Sequence, residues 1–347
     1  MKVAIIGAGI NGLYLAWKLA ERGEEVIVFE KREKIGKETC SGLFSEKILE
    51  FIPQSQKLIQ NQINSTLIHF PKRTLKVKFS KRFLVINHFE LDNLVANLAG
   101  AIGVKINLKY NVTRTVLATI QNEFERIIGC DGVNSAVREY LGGPKPNYRL
   151  AIQGFLLKED FSNYVETWPV DQGFIWKIPR GRETEYGIIA SPKEAKKVFQ
   201  DFLAKNKIFL EKISSAMVPQ GFLVPLNTRA AAKSKSALRS FLPSSLKRDS
   251  VGKEEDLSSS PNRITLCGDA VGLTKPWSGG GVIWGLIAAD LLLKNFPDFL
   301  KYQKEIKKFF LPKIIFSKIV VKMVYFFGFN IPWLLPKNVR IKGDFLI

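Results

Sequence analysis

Three short segments of this chain pair glycines with residues able to grip a phosphate or a sugar hydroxyl. The first is Gly7-x-Gly9-x-x-Gly12, with Asn11 inside it. Gly7 permits a tight turn, Gly9 lets a pyrophosphate approach the backbone, and Gly12 allows close packing of helix on strand. The N–H groups and positive dipole end of a following helix meet the phosphate charge. Glu30 lies eighteen residues after Gly12. There a carboxylate can accept hydrogen bonds from a ribose diol, so the spacing predicts dinucleotide binding.

These residues need a strand, a helix and a second strand to hold them. Lys2 to Ile6 is a short apolar run suited to a buried parallel strand. Leu13, Leu15, Ala16, Leu19 and Ala20 follow with helical spacing, Gly23 ends the helix, and residues 25–30 read as the second strand. The pattern predicts a βαβ opening. Further on, residues 89–103 predict a helix followed by a strand at 104–108. Residues 148–191 predict an antiparallel sheet, and 193–205 another helix.

The second segment, Asp131-Gly132-Val133-Asn134-Ser135-Ala136-Val137-Arg138, follows the strand 126–128. The third, Gly268-Asp269-Ala270, follows the strand 263–265. The Asp269 carboxylate suits ribityl hydroxyls, which a nicotinamide dinucleotide lacks. Downstream, Ser278-Gly279-Gly280-Gly281-Val282 precedes an apolar helix. Its N–H groups suit the pyrimidine carbonyl of a flavin and negative charge on the reduced ring.

In this order the three segments resemble the fingerprints of FAD-dependent, aromatic hydroxylase-like enzymes. Phe174-Ile175-Trp176-Lys177-Ile178-Pro179 and Tyr186-Gly187-Ile188-Ile189 narrow the resemblance. So do Cys40-Ser41-Gly42, ten residues past the second strand, and the ending Lys342-Gly343-Asp344-Phe345-Leu346. Together they are similar to the geranylgeranyl reductase family, including its archaeal digeranylgeranylglycerophospholipid reductases. The resemblance implies a Rossmann-type α/β FAD-binding domain, an antiparallel-sheet substrate domain and a helical C-terminal region. It implies FAD held by Gly7, Gly9, Asn11, Gly12, Glu30, Ser41, Gly42, His88, Val112, Asp131, Gly268, Asp269, Gly281 and Val282, with no metal. Trp176, Pro179 and Trp277 are the implied walls of an isoprenoid tunnel. Cys40 is the implied thiol beside the flavin, assisting protonation or positioning an alkene.

The implied reaction is reduction of isoprenoid carbon–carbon double bonds in membrane ether lipids or their precursors. Electrons would come from NAD(P)H, ferredoxin or another carrier protein. An FAD monooxygenase of the aromatic hydroxylase type and a prenyl-lipid escort protein are the alternatives. His88 stands where related enzymes carry an Arg before a Phe-Asp pair, and residues 112–128 are short for their β-meander. His69 reads as structural, and Cys130 and Cys267 as packing residues.

The expected domains follow from these segments. Residues 1–65, 84–145 and 263–295 form the FAD-binding domain, and 66–83 with 146–228 the substrate domain. The stretch 229–262, with nine serines, reads as a flexible loop. The 296–347 region is basic and aromatic.

Across 347 residues, 52 Lys/Arg against 32 Asp/Glu leave a charge of +20. Hydrophobic residues make up 46%, which excludes bulk disorder. Three distant cysteines and two histidines offer no zinc spacing and no Ser-His-Asp triad, and suit reduced thiols in the cytosol. A strand opens the chain, so no signal peptide is expected. The charge asks for an anionic partner, and no RNA-binding motif or basic helix points to nucleic acid. Residues 296–347 carry ten Lys/Arg against three Asp/Glu, and twelve of the 39 aromatics. The apolar stretch 314–335 is interrupted by Lys318, Lys322, Asn330 and Pro332. It reads as a helix packed on the core, or as an amphipathic segment lying in an anionic membrane interface. The second reading implies a peripheral protein on the cytoplasmic face.

Overall fold

The computed structural model describes residues 1–223 and 262–341. The serine-rich stretch, apart from Asn262, and the 342–346 ending lie outside the described residues.

Chain order begins with β1 (Lys2–Ile6), α1 (Ile10–Ala20) and β2 (Glu25–Phe29). Gly23, at φ +84°, turns the chain from α1 into β2. Then come β3 (Leu43–Ser45), α2 (Ile48–Phe51), β4 (Ile59–Phe70) and β5 (Arg73–Ile86). Next are α3 (His88–Ala101), β6 (Lys105–Asn107), α4 (Arg114–Glu123), β7 (Arg126–Gly129) and α5 (Ala136–Tyr140). The antiparallel run holds β8 (Asn147–Leu156), β9 (Tyr164–Val170), β10 (Gly173–Pro179) and β11 (Thr184–Ala190). It ends with α6 (Ala195–Lys205) and β12 (Glu211–Gln220). After the undescribed stretch follow β13 (Ile264–Leu266), α7 (Val282–Asn295), α8 (Phe299–Asn330) and β14 (Asn338–Ile341).

Among the described residues, β13-β7-β1-β2-β6 form an all-parallel sheet. Strand order reverses at β1, between β2 on one side and β7 on the other. Open α/β sheets bind ligands beyond the carboxyl ends of strands at such a switch point, and the Gly7 turn lies there. Val3, Ala4 and Ile5 are wholly buried, as helices on both faces require. Leu13, Leu15 and Leu19 of α1 and Leu286, Ala288 and Leu292 of α7 share this core.

A second sheet runs β12-β8-β11-β10-β9-β4-β5-β14, with β3 also paired to β5. It takes in more chain than expected. β4 and β5 pair from Ile59 opposite Ile86 to Phe70 opposite Arg73, so the expected segment 66–83 covers only part of that hairpin. The C-terminal region adds β14, parallel to β5 from Asn338 beside Lys76. Residues 112–128 hold the helix α4, whose Leu117 and Ile120 are buried and whose N-cap is Thr113. A helix here explains why the stretch is short for a meander.

The N-terminal half of the long helix α8 is packed on the core, as one of the two expectations had it. Phe299, Tyr302, Ile306, Phe310 and Ile314 are buried in the main core. From Ile315 onward the opposite face carries exposed apolar side chains. Among the described residues, no helix is long and apolar enough to cross a membrane.

Candidate functional site: a cavity with a nucleotide end and an apolar arm

A cavity of ≈ 760 Å³ joins the carboxyl ends of β1 and β7 to one face of the second, mixed sheet. At one end it is lined by Gly7, Gly9, Asn11, Glu30, Val112 and Asp131. Gly7 has φ +105°, and a Cβ there would lie 2.4 Å from the Cys130 carbonyl oxygen. Above Gly9 the position of a Cβ is open. Gly12 does not reach the cavity. A Cβ there would lie 2.0 Å from the Gly7 carbonyl oxygen, so its task is helix–strand packing.

Glu30 accepts from the Ala8 N–H at 2.7 Å, the Arg32 N–H at 2.9 Å and Arg32 Nε at 2.9 Å. Burial works against its charge, but these donors prevail and hold the carboxyl below its ordinary range. Its oxygens keep acceptor capacity for a diol. Asn11 Oδ1 and Asp131 Oδ1 are buried acceptors without a hydrogen-bond partner among the described residues. The open space over Gly9 and these two acceptors fit a group that brings both a pyrophosphate and hydrogen-bond donors, as FAD does.

The second and third glycine segments are tied together. Asp131 Oδ2 accepts from the Val137 N–H at 3.1 Å, and Ser135 caps α5 through the Arg138 N–H at 2.8 Å. Arg138 then donates to the Ala270 carbonyl at 2.8 Å and the Val133 carbonyl at 2.7 Å. Gly268 is absent from the lining and acts by making room. A Cβ at Gly268 or at Gly285 would lie 2.4 Å from the Asn11 amide. Asp269, Gly281 and Val282 line the cavity, and Lys37 Nζ stands 3.9 Å from Asp269 Oδ2.

Between the nucleotide end and the sheet lies the loop of Cys40, Ser41 and Gly42. Cys40 and Ser41 line the cavity. Gly42, at φ +64°, faces the Ile86 carbonyl oxygen, which a Cβ would approach to 2.1 Å, and it stays outside the lining. His88 opens α3, is buried and lines the cavity, with Nε2 3.3 Å from Asp92 Oδ1. Its Nδ1 has no hydrogen-bond partner among the described residues. Burial opposes the charged imidazole, yet Asp92 and Cys40 raise it to about 10. Burial likewise opposes the Cys40 thiolate, but the neighbouring His88 cation and Lys37 bring the thiol down to about 7. A thiol so placed can hold or release a proton near neutrality.

The apolar arm runs along the sheet. Phe174, Trp176 and Ile178 of β10 line it, alternating as strand side chains do. The same alternation turns Pro179 to the other face, so the expectation that it forms a substrate wall is corrected. Trp277 stacks on Phe174 at 5.7 Å with rings 17° apart, and meets Tyr325 edge-on at 5.0 Å. The arm ends among Val320, Val321 and Val324 of α8 and Leu335, Val339 and Ile341. His69 lies outside the lining, bonded to Thr74 Oγ1 and Glu166 Oε2 at 3.0 Å each and stacked on Trp168. Its structural reading fits this setting.

Sequence reasoning missed Lys37, Asp92, Gln153 and Lys275 in the lining, and the whole α8–β14 end of the arm. Asp92 carried a signal, four residues after His88 on a predicted helix. The others carried none, because only the fold brings them to the cavity. Cys130, read as packing alone, also lines it.

Residues 2–139 match the family described as FAD dependent oxidoreductase. The chain is 23% identical over 313 residues to digeranylgeranylglycerophospholipid reductase 1 of Methanococcoides burtonii, covering 81% of this chain and 70% of the relative. It is 24% identical over 327 residues to the digeranylgeranylglycerophospholipid reductase of Methanocella arvoryzae, covering 81% and 73%. Among solved structures, a geranylgeranyl bacteriochlorophyll reductase-like protein from Thermoplasma acidophilum superposes with a TM-score of 0.68 at 18% identity. That match covers 93% of this chain and 86% of the other, and it shows the shared fold.

Proposed function

We propose that this chain, an FAD-dependent oxidoreductase similar to the geranylgeranyl reductases, reduces carbon–carbon double bonds of geranylgeranyl chains in membrane lipids or their precursors. One observation carries this reading. The nucleotide-gripping end is continuous with an apolar arm walled by Phe174, Trp176 and Trp277. A polyisoprenoid chain needs such an arm, whereas a small polar aromatic would leave it unfilled.

Bound FAD in its reduced form supplies the hydride. The residues of this chain then do the rest. Gly7, Gly9, Asn11, Glu30, Asp131 and Asp269 would hold the cofactor, and the N–H groups around Gly281 and Val282 would face its ring. Trp176 and Trp277 present flat apolar surfaces that orient the chain and keep water away. Cys40, with His88 beside it, would hold a proton at Sγ within the same cavity.

The lipid enters at the far end. Ile315, Ile319, Met323 and Phe326 of α8 are each more than half exposed, as are Trp333 and Leu334. Val320, Val321 and Val324, on the adjoining side of the same helix, line the arm. Lys318 and Lys322 flank the exposed face. This helix would lie in an anionic membrane interface, at about 1 kcal/mol per basic residue near the surface. A membrane-bound chain then passes between α8 and β14 without crossing water. We place the protein at the cytoplasmic face, drawing electrons from NAD(P)H, ferredoxin or another carrier protein.

The test is mass spectrometry of lipid extracts from cells with and without the protein. Prenyl chains should gain two hydrogens per reduced bond in its presence. Unchanged lipids, with flavin-loaded protein present, would refute the reading.

A further inference from the structure

Two charged side chains lie behind the cavity wall and not on it. Glu185 is 0% exposed and Arg180 6%. Arg180 follows β10 and Glu185 lies in β11, so the turn between the strands brings them together. Arg180 Nη1 donates to Glu185 Oε2 at 2.6 Å, and Trp176 Nε1 donates to Glu185 Oε1 at 2.8 Å. The same Nη1 donates to the Ser41 carbonyl at 2.8 Å. The result is one chain of hydrogen bonds from the Trp176 indole, through both charges, to the loop that carries Cys40. Trp176 and Ser41 both line the cavity, and the charged pair that joins them does not.

Stability alone is a weak account of this arrangement. A buried ion pair is often replaceable by apolar residues of similar volume with no loss of stability, because desolvation offsets the attraction. Geometry does account for it. The planar fork of Arg can hold a carboxylate and a carbonyl at fixed angles, which an apolar pair cannot do. Gly42 completes the joint, since a Cβ there would lie 3.2 Å from Arg180 Nη2.

We infer that Arg180 and Glu185 are positioning residues that lock the Trp176 indole to the Cys40–Gly42 loop, so that the substrate wall and the loop thiol keep one spacing across the cavity. This rests on the proposed reading that Trp176 and Cys40 flank the reacting alkene. The coupling itself can be read without that reaction, from how readily the Cys40 thiol is reached.

The experiment compares full-length, flavin-loaded wild type with Glu185→Gln and with the double variant Arg180→Met, Glu185→Leu. Iodoacetamide labelling of Cys40 is followed by peptide mass mapping, with buried Cys267 as the internal control. Thermal midpoints are recorded alongside. Turnover is read with geranylgeranyl diphosphate and with a digeranylgeranyl glycerophospholipid, each with dithionite. In the double variant, releasing the Ser41 carbonyl from Arg180 should raise Cys40 labelling roughly tenfold, and Glu185→Gln, which keeps Arg180, should raise it less. The kcat should fall by a similar factor while KM changes little. The double variant leaves no unpaired charge but strands the Trp176 N–H and the Ser41 carbonyl, so its thermal midpoint should fall modestly while it still shows the faster labelling and lower kcat. Wild-type labelling and kcat in the double variant would overturn the inference and leave the pair a structural one. Wild type that reduces neither geranylgeranyl diphosphate nor a digeranylgeranyl glycerophospholipid would instead overturn the proposed function, while the labelling comparison still decides the coupling.

Discussion

Arg138 Nη1 donates to the main-chain carbonyl of Ala270 at 2.8 Å, so a side chain of the second glycine segment holds the third in place. Its other nitrogen holds the Val133 carbonyl. One guanidinium therefore ties the backbone next to Asp269 to the loop that follows Asp131. Arg138→Met should lower flavin retention at least about tenfold, since each lost charged hydrogen bond is worth roughly 1.5–3 kcal/mol. Asp269→Ala should weaken retention while leaving α5 intact. Flavin absorbance after gel filtration reads both. Full retention in both variants would show that neither segment holds the cofactor.

The thiol of Cys40 faces His88 and Lys37, with Asp92 and Glu185 as nearby carboxylates. Glu185 is itself pushed up to about 7 by burial, against the pull of Arg180 and Trp176. With the Cys40 thiol near 7, below the ordinary value of about 8.5, its thiolate fraction grows as pH rises through neutrality. Labelling of Cys40 by iodoacetamide should therefore climb with a midpoint near 7. His88→Ala removes the cation that favours thiolate. The midpoint should move upward, to about 8.5 or beyond, because burial then acts with less opposition. A midpoint that stays or falls would break the proposed pairing.

Gly187 sits opposite Trp176 across β10 and β11, and a Cβ there would come 2.2 Å from indole Cζ2. Gly187→Ala should displace the indole and cost about 1–3 kcal/mol by overpacking. Thermal unfolding would register the cost. Cys40 labelling would register any disturbance passed on through Glu185 and Arg180. An unchanged thermal midpoint would mean that the strand yields without moving the ring.

The exposed apolar face of α8 can be tested apart from its charges. Ile319→Ser with Phe326→Ser should lower flotation on vesicles of any composition. Lys318→Glu with Lys322→Glu should lower it on anionic vesicles alone, and wild-type binding there should weaken as salt screens the charge. Equal flotation on neutral and anionic vesicles, unchanged by the lysine substitutions, would refute electrostatic docking.

Much of the nucleotide end was legible from sequence. Gly7, Gly9 and Glu30 act over short spans of chain, where a turn, a helix start and a strand end follow from local residue types. So do Asp131, Ser135 and Arg138 in their segment. The sequence alone thus determined the βαβ opening, the order of the three flavin segments and the basic, aromatic character of the C-terminal region. It did not determine which side chains face the cavity. Pro179 and Ile178 are neighbours in one apolar strand, and only the pairing of β10 with β9 and β11 decides which of them faces inward. Nor did sequence join Trp176 to Ser41. That link spans well over a hundred residues and needs Arg180 and Glu185 brought together behind the wall. The α8–β14 end of the arm has the same origin, since β14 reaches β5 only after the chain has crossed the molecule. Local chemistry is written in neighbouring residues, whereas a cavity is made by surfaces from distant segments, and packing alone brings those surfaces together.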